Sequence, residues 1–473
     1  MRAAYATVVA LARTAAHVTP PGEAKFLRAL RARRGVVERI EQQSRTQRDR
    51  SRPLVWLHAP SVGEGLQARP VAQAIRLAHP SWQIAYTYFS PSAESFAATV
   101  GADITEYLPF DSARDADAIL NALSPSVLVF AKLDVWPTLV ARAVRRGIPV
   151  AMISGTLAAR SGRRGWWSRQ LVHDAYAALR AVGVIDAEHG ERLRELGVSP
   201  AVLQVTGDTR FDQVVARAAG VNRETPLFRA LSSTRPTVVA GSTWPADEVA
   251  LLDAWAAVMR EFPVPEQPTR EHDANGPSLA QSHRVSHRPR LLIAPHEPTA
   301  AHCAPIERWA SDAGLSLRRV SHMTAEAATG APHDDPAPLP APARDEIDVV
   351  LIDRVGILGD LYALADVAFV GGGFHAAGLH SVIEPAAFGV PVLFGPRYDM
   401  SREAELLLAK GGAISVTNAQ ALRDALEQWL RDPAARAVAG HSARALVESE
   451  RGATQRSLQL IEQLIEQLIE PLT

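Results

Sequence analysis

The sequence predicts an α/β protein made of two Rossmann-like domains, each a parallel sheet covered by helices. Three observations carry this reading. Short, apolar, β-branched runs recur along the chain, amphipathic stretches separate them, and the rhythm lapses once and then restarts. Such runs suit strands buried on both faces of a parallel sheet. Strand, helix, strand alternation at this spacing means βαβ units.

In the first half the expected strands are Leu54–Ala59 (LVWLHA), Gln83–Phe89, Val127–Ala131, Ile148–Ile153 and Ala181–Ile185, with helical patterns such as Gln67–Ala78 and Trp136–Arg145 between them. The rhythm restarts at Thr237–Ala240 and continues through Leu291–Ala294, Val349–Ile352, Val367–Val370, Pro391–Phe394 and Ala413–Val416. One sheet would need more than about ten strands, so two domains are expected, with their junction near Val215–Arg235. The domains are drawn as residues 36–215 and 216–440, preceded by a segment 1–35 and followed by a C-terminal helix 441–473. Two stretches, 263–290 and 325–345, are rich in Pro, Ala, His and Ser and read as solvated insertions, because little apolar surface is there to offset ordering entropy. Their histidines (His272, His283, His287, His333) are read as part of these loops, and no metal site is expected. The end of the chain, LQLIEQLIEQLIEPL, places apolar residues at i, i+3 and i+4 and reads as a packing helix.

Composition narrows the function. With 50 basic and 51 acidic residues the net charge is −1, which argues against a nucleic-acid partner. Cys303 is the single cysteine, so no internal disulfide or Cys-cluster metal site forms. No run of about 20 apolar residues exists to span a bilayer. Residues 3–18 are Ala-rich and apolar, followed by Lys25, Arg28, Arg31, Arg33 and Arg34. A helix packed on the first domain, an interfacial helix facing anionic headgroups and a cleaved signal all fit this pattern. Trp166 and Trp167, beside Arg160, Arg163, Arg164 and Arg169, read either as a solvated loop or as a second lipid-headgroup contact.

Candidate chemistry sits where strands end, because open α/β sheets bind ligands at the carboxyl ends of their strands. In HAPSVGEG (His58–Gly65), Glu64 projects from a helix N-terminus. It either complements the helix dipole or accepts a proton from a substrate hydroxyl. In GGGFHAAGLHSVIEP the strand VAFV empties into Gly371, Gly372 and Gly373, and a helix is expected near Ser381 with His380 and Glu384 alongside. Glycines admit a ligand close to the backbone, a helix N-terminus attracts phosphate, and a carboxylate there can accept ribose hydroxyls. In AGSTWPADE, Ser242 or Thr243 is expected to cap a helix carrying Asp247 and Glu248, and APHEP brings His296 to a strand end.

Together with YLPFD (Tyr107–Asp111), VTGDTRFD (Val205–Asp212) and LYALADVAFVGGG, these motifs resemble the 3-deoxy-D-manno-octulosonate (Kdo) transferase family, glycosyltransferases of the GT-B fold with a cleft between two domains. The resemblance covers most of the chain outside the insertions. It implies transfer of Kdo from CMP-Kdo to the lipid A precursor by a peripheral or monotopic enzyme on the cytoplasmic face of the inner membrane, in lipopolysaccharide biosynthesis. Residues 1–35 resemble that family's membrane-associating segment, which implies an anionic membrane surface as a partner. Glu64 matches the family's proton acceptor and Arg210 a position that stabilises the transition state. Pro295 and His296 match a loop that contacts CMP, Val355, Gly356 and Ile357 a second, and Ser381, Val382, Ile383 and Glu384 a third. No cofactor is implied, CMP-Kdo being the donor substrate. Lys132, in KLDVWP with Asp134, occupies a catalytic-loop position that many members fill with an acidic residue. Ser381 replaces an amide in a GGHN-type loop, and His296 replaces an arginine.

The chemistry these residues would run is a single inverting displacement through an oxocarbenium-like transition state, with Glu64 taking the acceptor proton. Two other readings stand beside it: a different GT-B enzyme, such as a UDP-sugar transferase or sugar-nucleotide epimerase, and a catalytically inert GT-B binding protein.

Overall fold

The computed structural model describes residues 2–19, 25–159, 161–262, 288–323 and 346–469. The histidines of the two insertions and Arg160 lie outside them. The chain divides into two compact units, Met1–Gln213 with Glu450–Thr473, and Val214–Ser449.

The first unit holds seven strands: β1 (Leu54–His58), β2 (Gln83–Tyr88), β3 (Ile104–Tyr107), β4 (Val127–Ala131), β5 (Val150–Gly155), β6 (Ala181–Val184) and β7 (Leu203–Val205). They pair in parallel in the order β3-β2-β1-β4-β5-β6-β7. That order reverses between β1 and β4, the topological switch point where doubly wound sheets take ligands. β1, β2, β4, β5 and β6 are buried along their whole length, as their apolar sequences require. Helix α1 (Arg2–Val18), α2 (Lys25–Ala32), α3 (Val36–Gln47) and α4 (Val62–Ala78) begin this unit.

The second unit holds β8 (Thr237–Thr243), β9 (Arg290–Pro295), β10 (Leu317–Arg319), β11 (Val349–Leu351), β12 (Val367–Val370), β13 (Val392–Phe394) and β14 (Ala413–Ser415), in the parallel order β10-β11-β9-β8-β12-β13-β14. Its switch point falls between β8 and β12. Alternate residues face opposite layers: Val238, Ala240, Leu291 and Ile293 pack into one core with Trp255 and Trp429, while Val239 and Leu292 pack into the other with Leu231 and Tyr362. This period of two is what a strand between two helical layers imposes.

Several expectations change. β3, β7 and β10 were absent from the expected strands; all are sheet edges and carry polar residues (ITEY, LQV, LRR), so they lack the apolar run of a central strand. Arg290, placed in the first insertion, opens β9 and is buried, bonded to Thr237 and the Leu231 carbonyl. The single C-terminal helix over 441–473 is two, Pro433–Ser449 and Ala453–Ile469. Of the last helix, Leu458, Leu460, Ile461, Leu464 and Ile465 pack into the core of the first unit. Asp212 fixes its start by accepting bonds from the Gly452 and Thr454 amides, 2.7 and 2.6 Å.

The N-terminal segment is helical and docked. Tyr5 Oη donates to Asp111 Oδ2 (2.9 Å) and Arg13 pairs with Asp115 (3.0 Å). Arg33 is buried, donating to the Phe89 carbonyl (2.6 Å) with its guanidinium 3.4 Å from the Phe89 ring centroid, and burial pushes its pKa down to about 10. Arg34 donates to the Ala16 carbonyl (2.6 Å) and to the Thr19 carbonyl. These two arginines therefore hold the segment to the protein rather than facing headgroups. The opposite face of α1 exposes Val8, Leu11 and Val18.

Candidate active site and nucleotide site

Two clusters of side chains form, one at the carboxyl ends of the strands of each sheet. In the first unit, β1 ends at His58, and α4 begins after Ser61, its N-cap residue. Ser61 Oγ does not cap the helix; it donates to Glu64 Oε2. Lys132, at the end of β4, brings Nζ to 3.6 Å from Glu64 Oε1. The pair thus straddles the switch point between β1 and β4. The Glu64 side chain is 20% exposed, open enough to meet a substrate hydroxyl yet fixed by two partners.

Local backbone demands underlie this placement. Lys132 has φ +69°, a left-handed conformation that costs a non-glycine residue about 1–2 kcal/mol, and its amide donates to the Ile153 carbonyl (2.9 Å). Unusual backbone of this kind gathers at functional sites. Gly65 is required by crowding, because a Cβ there would lie 2.4 Å from Phe96 Cε1 and 2.9 Å from Tyr86 Oη. Behind the pair, His58 is fully buried, with Nδ1 3.0 Å from Thr87 Oγ1, which also accepts from Trp56 Nε1 (2.9 Å). Burial pushes the imidazole down to about 4, so it is a neutral structural residue beneath the site.

Asp134, two residues after Lys132, turns away: it pairs with Arg163 (2.7 Å) and accepts from Trp136 Nε1 (3.2 Å). Arg210 opens the helix Thr209–Ala219, and its guanidinium binds the buried Asp208 through Nε and Nη2 (2.9 and 2.6 Å). Arg210 holds the Asp208 carboxyl below its ordinary range against the effect of burial. This turn is tied to α4, since Thr209 Oγ1 donates to the Gln67 carbonyl (2.7 Å), one turn beyond Glu64. Arg210 therefore sits beside the Glu64 helix, anchored by Asp208. The stretch at Trp166 is helical from that residue, not a loop; Trp166 and Trp167 are exposed while Arg164 pairs with Glu195 (2.9 Å). Two cavities of about 270 and 470 Å³ flank α1, the larger lined by Val9, Arg13 and Arg114; neither is lined by Glu64 or Lys132.

In the second unit, Trp244 precedes the helix Pro245–Glu261 and is its N-cap residue, in place of the expected Ser242 or Thr243. Thr243 Oγ1 donates instead to Glu248 (2.9 Å). Asp247, wholly buried, accepts three backbone bonds: from Trp244 (2.9 Å), Gly372 (2.7 Å) and Phe374 (2.9 Å). It therefore organises the glycine turn after β12. Gly372 has φ +93°, and a Cβ would meet the Gly378 carbonyl oxygen at 2.1 Å. The turn was expected to admit a ligand close to its backbone; its Gly372 and Phe374 amides face Asp247.

Aromatic side chains take their place. His375 stacks on Trp244 (centroids 4.3 Å, 9° between planes), His296 stacks on Trp244 (4.4 Å, 24°), and His380 stacks on His296 (4.7 Å, 29°). Trp244 Nε1 donates to His380 Nε2 at 3.1 Å. Pro295 is the buried end of β9 and His296 is exposed. The cluster stands at the β8–β12 switch point. Trp244, His375 and Asp247 were not among the expected ligand residues; the signal for them was an aromatic and an acid three residues apart after one strand, and a histidine after three glycines.

The helix expected near Ser381 is Ile383–Ala387, with Val382 as its N-cap residue and no side-chain cap; Val382 and Ile383 are buried and Ser381 is exposed. Glu384 lies in its first turn. Burial raises the Glu384 carboxyl, partly offset by Arg217. Arg217 pairs with Asp360 (2.7 Å) and reaches the Gly356 carbonyl (3.5 Å), linking Glu384 to the Val355–Ile357 loop. In that loop Gly356 has φ +91° and Val355 is exposed. Of the expected residues of this unit, His296 and His380 come together in the stack on Trp244. Among the described residues no cluster of three His, Cys, Asp or Glu is arranged to hold a metal.

Residues 28–213 match the family described as 3-deoxy-D-manno-octulosonic-acid transferase (kdotransferase). The chain is 30% identical over 415 residues to the 3-deoxy-D-manno-octulosonic acid transferase of Bordetella pertussis, covering 86% of each protein. It is 25% identical over 419 residues to that of Haemophilus influenzae, again with 86% of each covered. In fold it is similar to UDP-GlcNAc 2-epimerase from Neisseria meningitidis (TM-score 0.58, 12% identity, 87% of this chain and 100% of that one). The two seven-stranded parallel α/β units are the GT-B architecture.

Proposed function

The chain belongs to the 3-deoxy-D-manno-octulosonic acid transferase family, and from that membership we propose that it transfers Kdo from CMP-Kdo to a lipid A precursor by an inverting displacement. The observation that carries the proposal is the Glu64–Lys132 pair at the switch point of the first sheet.

The acceptor hydroxyl attacks the anomeric carbon while the C–O bond to CMP breaks, and Glu64 takes the hydroxyl proton as that bond forms. One displacement inverts the centre, and no covalent intermediate is needed. Lys132 and Ser61 hold the Glu64 carboxylate in one orientation, which is a positioning role. Arg210, beside α4 and held by Asp208, is assigned the stabilisation of negative charge that develops in the transition state. The nucleotide belongs to the second unit. His296 and His380, with Pro295, Gly372, Gly373 and Ser381, border the phosphate, and Glu384, with Val382, Ile383 and the Val355–Ile357 loop, borders the ribose and base. The reading calls for no cofactor beyond the donor.

The acceptor belongs to the first unit, reached from an anionic membrane surface on the cytoplasmic side of the inner membrane. The exposed Val8, Leu11 and Val18 of α1 and the exposed Trp166 and Trp167 support peripheral attachment there. Among the described residues no helix is long and apolar enough to cross a membrane.

The test is mass spectrometry of a lipid A precursor incubated with the protein and a CMP-Kdo supply. A product heavier by one or more Kdo units is expected, with inverted anomeric configuration read by NMR of the purified product. An unmodified acceptor, or a product of retained configuration, refutes the proposal.

A further inference from the structure

We propose that the three imidazoles gathered on Trp244 form a proton-gated anion site, which binds the donor's phosphoryl group more tightly as pH falls. The inference rests on the assignment of the nucleotide to the second unit and adds a regulation to it.

The geometry is a stack from three chain segments. His296 comes from the end of β9, and His375 and His380 from the turn after β12; all meet the indole that follows β8, within 4.7 Å of one another or of its ring. None of them is fully buried, so core packing does not account for three polar rings here. Trp244 Nε1 donates to His380 Nε2, which puts the proton of the neutral His380 ring on Nδ1. The Gly372 and Phe374 amides that could cradle a phosphate are occupied by Asp247. Charge for an incoming anion is therefore left to side chains, and imidazole is the side chain that can gain a charge by taking up a proton in the physiological pH range.

The groups facing the stack set its behaviour. Burial and the neighbouring His296 and His375 push His380 below the ordinary histidine range, while Asp247 beneath the turn pulls the other way. On the helix Pro245–Glu261, Glu248 is held by Thr243. Beyond β9, Glu297 is exposed, with its carbonyl engaged by His302. After β13, Arg397 is exposed, its amide bonded to the Gly373 carbonyl. Two imidazolium ions about 5 Å apart repel, so the empty stack resists its second proton. An anion seated on it removes that penalty, and binding then draws a proton from solvent. By linkage, affinity rises up to about tenfold per pH unit for each proton taken up.

The probe is cytidine 5′-(methyl phosphate), a phosphodiester with one fixed negative charge between pH 5.5 and 8.5. Calorimetric titration at pH 6.0 and 8.0, repeated in two buffers of different ionisation heat, reads affinity and protons together. At least tenfold tighter binding at pH 6.0 is expected, with net proton uptake near pH 7. His375→Gln and His296→Gln should each shrink that ratio, with far-UV circular dichroism checking that the variants fold. Equal affinity at both pH values without proton uptake overturns the inference and leaves the nucleotide assignment standing. A pH ratio unchanged in both variants also overturns it. No binding at either pH overturns both.

Discussion

Asp247→Asn isolates the residue that organises the glycine turn. Asp247 Oδ2 accepts from Trp244 and Gly372 and Oδ1 from Phe374, all within 2.9 Å and wholly out of solvent. The amide oxygen of asparagine can keep the first two bonds. Its NH₂ group then faces the Phe374 N–H, donor against donor. The variant loses one charge-assisted bond and leaves a buried N–H unsatisfied, a cost of about 2–4 kcal/mol. If the turn opens locally, hydrogen exchange at the Phe374 amide should accelerate roughly 30- to 900-fold, at 1.36 kcal/mol per factor of ten. Exchange at Leu292 and Phe369, in β9 and β12, should change far less. CMP affinity should fall alongside. Exchange at Phe374 within threefold of the parent would refute the assignment of Asp247 as the turn's organiser.

Other perturbations have opposed or separable signatures. Lys132→Gly relieves the left-handed backbone, so denaturant stability should hold within about 1 kcal/mol or rise while transfer falls at least about tenfold; parallel loss of both contradicts a positioning role. Gly65→Ala drives a Cβ into Phe96 and Tyr86 and should lower stability by about 1–3 kcal/mol in urea unfolding, with no loss refuting the crowding argument. His58, held at about 4 when folded against about 6.5 unfolded, leaves the folded state with fewer protons between those values. Stability is therefore full above pH 6.5 and declines toward pH 4, by about 3 kcal/mol from this group. His58→Asn should flatten that decline, and an unchanged acid slope would show that the loss arises elsewhere.

The central strands were legible because burial on both faces writes itself as unbroken apolar runs, as in LVWLH and VLVFA. The edge strands ITEY and LRR were not, since one side of an edge meets solvent and polar residues are tolerated there. Glu64 could be placed at the start of α4 from the turn residues before it. The roles of Lys132 and Asp134 could not be divided by sequence, because a two-residue step and a left-handed backbone decide which side chain meets Glu64 and which meets Arg163. The Trp244 stack was equally hidden: its histidines lie 52 to 136 positions beyond Trp244 in the chain and reach it only through strand order. Local pattern also set a helix start near Ser381, whereas the helix begins two residues later at Ile383.

Single-turnover transfer by Glu64→Ala, measured beside CMP affinity, probes the proton-accepting carboxylate most directly. A fall of about 10²- to 10⁴-fold in rate with CMP affinity within about twofold of the parent is the predicted result. Transfer within tenfold of the parent rate would remove Glu64 from the chemistry.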